Sequence, residues 1–160
     1  MALGKLFIIL GALLTILGTW VFATILFFPG YVGSGLGFAM NLPTIIGIDP
    51  GADAVVFYLL LALFIGWLAS GVLQLVGLKN KIVGIIFSLI PLAIGLMLIL
   101  LIYTDILGMM SAVFTIMTIG EQIGGFFPIL VQLGDLGLGT YFLLGGGVLG
   151  LVGCILPQDD

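Results

Sequence analysis

The sequence has no histidine, no arginine and one cysteine, Cys154. Without imidazole or a second thiol, a zinc or haem site built on His or paired Cys has no ligands, and a disulfide within the chain is impossible. Charge is scarce as well. Three lysines and seven acidic residues make up 6% of the 160 residues, against about a quarter in a soluble domain. That leaves too little polar surface to clothe a water-exposed globule, and no basic patch to hold nucleic acid. Catalysis needs a nucleophile, a base or a metal grouped in space. Ser70 and Ser88 have no base near them in sequence. No carboxylate pair falls inside an apolar run, and the glycine-rich C-terminal segment lacks the lysine of a phosphate-binding loop. No catalytic residue, cofactor or metal is expected, and the chain reads as a non-enzyme.

What is present is hydrocarbon. Hydrophobic residues make up 62% of the chain, and the mean hydropathy is +1.49. About 20 apolar residues cross a bilayer as a helix. Four uncharged runs meet that length, at about residues 6–28, 54–77, 82–103 and 138–156. The expected fold is an all-α integral membrane protein with a single membrane domain. It is a four-transmembrane-helix bundle with two long apolar outer loops, about 29–53 and 104–137. The first run is too long for a signal-peptide core and reads as a retained anchor. Cys154 is expected to act as a small packing residue, and no soluble domain is expected after the fourth run.

Glycine spacing then suggests how the spans meet. Gly139, Gly146 and Gly153 recur every seven residues, and Gly150 follows Gly146 by four. Gly11, Thr15 and Gly18 in span one repeat the spacing of Gly146, Gly150 and Gly153 in span four. Small residues let membrane helices approach backbone to backbone. Spans one and four are therefore expected to pack as a shallow, left-handed pair. Ala62, Gly66 and Ser70 give span two a similar face, and Gly84 and Ser88 give one to span three. Gln74 is expected to hydrogen-bond within the bundle or to snorkel to the interface. Pro91 removes a backbone hydrogen bond in mid-span and is expected to kink it.

The loops are unusually apolar. Gly and Pro punctuate the first, so no long helix is expected there. In the second, residues 106–119 are too few for a span and suit a short interfacial or re-entrant helix. Ile106, Met110, Val113, Phe114 and Met117 would share one of its faces, and Ser111, Thr115 and Thr118 another. Phe38 and Met40 in the first loop, with Met110, Phe114, Met117, Phe126 and Phe127 in the second, are the candidate contacts to a partner. Methionine suits irregular apolar contacts. A different division makes 106–133 a broken fifth span, which puts Glu121 and Gln122 at mid-membrane at high cost.

Lys5, Lys79 and Lys81 fall on one side in the four-span arrangement. Cytoplasmic loops carry the excess of Lys, so both termini are expected in the cytoplasm of a multi-pass cell-membrane protein. In topology alone this resembles claudins and tetraspanins. Claudins carry a Trp and paired Cys in the first outer loop, and tetraspanins a Cys-Cys-Gly in the second. Cys154 lies in span four, so neither family is assigned. The expected function is that of a non-catalytic structural or accessory protein that assembles laterally, as a homo-oligomer or as a small subunit of a larger membrane complex. Its expected partners are membrane lipid and other membrane subunits or copies of itself. The alternative is a pore or carrier for a small or neutral solute, drawing on Pro91, Gln74 and Glu121. Recognition of a lipid between the helices is a third possibility.

Overall fold

The computed structural model describes residues 2–158. Four of its helices are long and apolar enough to cross a membrane: Leu3–Val21, Gly51–Leu78, Lys81–Tyr103 and Leu138–Ile155. In lipid every backbone amide and carbonyl must bond internally, which favours helix even in glycine-rich segments. Helix α1 (Leu3–Ile16) ends in a π-turn over Leu17–Val21. Helix α3 (Ala54–Gln74) is entered and left through 3-10 turns, and α4 spans Lys81–Tyr103. Helix α6 spans Leu138–Ile155. Asn80 starts α4 by accepting hydrogen bonds from the amides of Ile82 (3.1 Å) and Val83 (3.3 Å). The four pack as a ring, α1 on α3, α3 on α4, α4 on α6 and α6 back on α1. Pro91 sits buried inside α4, which runs on through it.

The remaining residues build a cap over one end of this ring. Helix α2 (Gly35–Ile46) and helix α5 (Met109–Thr118) lie there. A three-stranded antiparallel sheet joins β1 (Ile25–Phe28), β2 (Tyr31–Gly33) and β3 (Ile119–Glu121). Strands β4 (Gln132–Leu133) and β5 (Leu136–Gly137) form a separate pair. The fold is thus mostly helical but not wholly so.

The end of the first span and the place of Ile106 need correction. The first span does not reach residue 28, because its helix stops at Val21. From there the backbone bonds to the cap instead of to itself. The Ala23 amide donates to the Ile129 carbonyl (2.9 Å) and the Thr24 amide to that of Gly33 (2.8 Å). The Thr24–Phe28 stretch is β-branched and aromatic, which suits a strand, and Pro29-Gly30 turns it, with Gly30 at φ +83°. The first loop holds a short helix and no long one. Ser34 caps α2 by accepting from the Gly37 amide (2.8 Å), and Pro43 is accommodated within it. Residues 106–133 contain a ten-residue helix and strands β3 and β4, not the long helix of the alternative fifth span. Ile106 lies ahead of α5 rather than on its face.

The cap is locked to the ring by aromatics. Phe64 of α3 stacks against Phe38 of α2 (centroids 5.2 Å apart), Phe114 of α5 (5.1 Å) and Trp67 (5.8 Å). All four are fully buried. Such pairs add about 0.5–1.5 kcal/mol each beyond the area they bury.

Candidate functional site: the glycine seam and the cap surface

The seam between α1 and α6 is built from missing side chains. A methyl group placed on Gly11 would lie 2.7 Å from the Gly150 amide nitrogen and 2.8 Å from the Gly146 carbonyl oxygen. One on Gly18 would lie 2.8 Å from the Gly139 carbonyl oxygen, and one on Gly4 2.9 Å from that of Gly153. Real Cβ atoms do not come this near, so backbone meets backbone at three successive levels. Thr15 fills the gap beside Gly146 and is fully buried. The two repeats therefore mesh, but head to tail: Gly18 meets Gly139, not Gly153. Matching the repeats in the same sequence direction gives the wrong partners, because the helices are antiparallel.

The glycine cluster of α6 serves two neighbours. Gly146 faces α1, while a Cβ on Gly147 would lie 2.8 Å from that of Leu92 and 2.9 Å from the Ser88 carbonyl oxygen on α4. Gly150 abuts Ser88 as well. Gly77 and Gly84 let the 3-10 turn after α3 touch α4, with Cys154 packed beside them. A Cβ on Gly71 of α3 would lie 3.0 Å from the amide nitrogen of Ile16 on α1. Gly71, Gly77 and Gly147 escaped notice in the sequence because none belongs to a repeat within its own helix. The proposed face on α3 is only partly used. Ser70 is buried and Gly66 touches Ile90, but Ala62 is exposed on the outside of the ring. The buried face of α3 is instead Leu61, Phe64, Trp67, Ser70, Gly71 and Gln74.

Among the described residues Gln74 is the one fully buried carboxamide. Its amide donates to Ser88 Oγ (3.3 Å) and to the Gly146 carbonyl oxygen (3.4 Å), both long bonds. Its Oε1 has no hydrogen-bond partner, nor do Thr15 Oγ1 and Trp67 Nε1. Ser88 turns its own proton to the Gly84 carbonyl oxygen (2.7 Å).

The candidate partner contacts divide. Phe38, Phe114 and Met117 are buried in the chain's own core and cannot meet a partner. Periodicity puts them on an apolar face without saying that this chain covers it. Met40, Met110 and Phe126 are exposed, and Phe127 is half-buried. Beside them Met109 is 81% exposed and Ile106 77%. These exposed groups stand on fixed supports. Asn41 of α2, for example, donates to the carbonyl oxygens of Ile119 (2.7 Å) and Met117 (3.2 Å), tying α2 to the end of α5.

Two concavities open on the cap. One, of about 390 Å3, lies between α2 and β3 and is lined by Ser34, Asn41, Glu121 and Gln122 among others. The other, of about 450 Å3, lies between α3 and α5 and is mostly apolar. Among the described residues no three His, Cys, Asp or Glu side chains gather as metal ligands would. Comparison of the chain with models of protein families, with curated proteins and with solved structures finds no match.

Proposed function

We propose that this chain is a non-catalytic structural or accessory membrane protein that assembles laterally, with copies of itself or as a small subunit of a larger complex. It crosses the cell membrane four times with both termini in the cytoplasm. The orientation rests on Lys5, Lys79 and Lys81, which share one end of the ring. The observation that carries the functional reading is the cap surface. Met40 and Ile46 on α2, Met109 on α5, and Ile106 and Phe126 in turns of the cap are all more than half exposed. Exposed apolar area gathered on a well-supported surface is the usual sign of an interaction face.

The test is extraction in mild detergent followed by native mass determination. The expected particle contains more than one chain or a co-purifying membrane protein. A homogeneous single chain in several mild detergents overturns the reading. The pore or carrier alternative draws support from the unpartnered Gln74 Oε1. Solute flux in proteoliposomes above protein-free background favours it, and flux at background removes it.

A further inference from the structure

The groove between α3 and α5 has a polar end and an apolar body. Val56, Phe57 and Leu60 of α3 form one wall, Met110 and Val113 of α5 form the other, and Asp53 stands at the head of α3. Its volume of about 450 Å3 falls within the roughly 300–1,000 Å3 of small-molecule sites. Asp53 and Leu60 are seven residues apart, so the groove follows α3 for about 10 Å. That stretch opens a segment, Gly51–Leu78, long enough to cross a membrane. An occupant meets one charge at the membrane boundary and only carbon and sulfur farther in.

Charge narrows the choice. Asp53 is the one charged residue lining the groove, and the cap also carries Asp49, Asp105, Glu121 and Asp135. All three lysines are at the opposite end of the ring. The local field repels an anionic headgroup and attracts a cationic one. A single extended hydrocarbon chain fits along this apolar length, and Met110 can shape itself to it.

We propose that this groove seats one acyl chain of a phospholipid with an ammonium-bearing headgroup, Asp53 facing the ammonium. The proposal does not depend on lateral assembly. The full chain, purified in detergent, is given phosphatidylethanolamine or phosphatidylglycerol with identical acyl chains, and bound lipid is counted by native mass spectrometry. One phosphatidylethanolamine per chain is expected, retained roughly fivefold better than phosphatidylglycerol, the factor that a partly exposed ion pair supplies. Asp53→Asn should equalise the two lipids, and Leu60→Trp should fill the groove and release both. Met110→Trp, on the more exposed wall, serves if Leu60→Trp fails to fold, and Asp53→Asn decides alone if neither folds. Equal retention of both lipids by the unaltered chain overturns the proposal. So does unchanged lipid retention in a folded tryptophan variant, or a dimer of this chain that Met110→Trp dissociates.

Discussion

Gly11 and Gly146 are reciprocal neighbours. A methyl group on either would stand 2.8 Å from the carbonyl oxygen of the other. Gly145, one residue away, behaves differently, because a methyl there would find only Leu14 Cδ1, at an ordinary 3.6 Å. Adjacent glycines should therefore respond in opposite ways to alanine. Gly146→Ala forces two backbones apart and should cost about 1–3 kcal/mol, the range of overpacked cores. Gly145→Ala should be neutral or stabilising by about 0.5 kcal/mol, since alanine is the better helix former. Unfolding in mixed micelles measures both. Equal losses at the two positions would mean that the seam is not what makes Gly146 sensitive.

Gln74 offers a second contrast. Its two hydrogen bonds are long and its Oε1 has no partner. Replacing a poorly satisfied buried amide by an apolar group of similar shape is often neutral. Gln74→Met should change stability by less than about 1 kcal/mol, and Ser88 keeps its bond to Gly84. A loss several times larger would show that the carboxamide is satisfied by a group such as a buried water.

Phe114 joins cap to ring through Phe64. Phe114→Ala should cost about 3–5 kcal/mol, as buried Phe truncations do. The loss should appear in the cap first. Limited proteolysis is expected to cut within residues 104–137 while α1 and α6 stay protected. Simultaneous exposure of the whole chain would contradict the division into cap and ring.

Asn41 should act more locally. The carbonyls at the end of α5 have no further helix to bond to, and its side chain takes that place. Asn41→Ala should raise hydrogen exchange around residues 117–121 and cost about 1–2 kcal/mol. Exchange confined to α2 would refute this bridging role.

For the assembly reading, Met40→Glu and Phe126→Glu put charge on exposed positions that the fold itself does not use. Stability should shift by no more than about 0.5 kcal/mol, while the native mass falls to that of one chain. An unchanged complex with both variants moves the interface away from these two residues.

The sequence revealed the ring better than the cap, for a physical reason. Long uncharged runs have few alternatives to crossing a bilayer, so α3, α4 and α6 were legible from hydropathy alone. The seam was legible from the heptads of Gly11–Gly18 and Gly139–Gly153, because only backbone contact gives glycine at that spacing a purpose. Orientation of a face was harder. Every position of α3 before Gln74 is apolar, aromatic or small, so nothing in its pattern separates exposed Ala62 from buried Ser70. Residues 22–28 looked like more helix because hydropathy is blind to where a backbone finds its hydrogen bonds. The partners of Ala23 and Thr24, Ile129 and Gly33, lie elsewhere in the chain. Phe38 and Phe114 were read as outward for the same reason, since the Phe64 that covers both is remote in sequence.

The seam also sets an order of events in biosynthesis. Helix α1 leaves the ribosome well before α6, the helix that completes its seam. At 5–20 residues per second, α1 waits on the order of ten seconds with its glycine face unmatched. During that interval any passing small-residue helix is a competitor, and a chain cut short before Leu138 never finds the intended one. A fragment that stops there would thus keep a glycine face that no helix of its own covers, adhesive rather than inert.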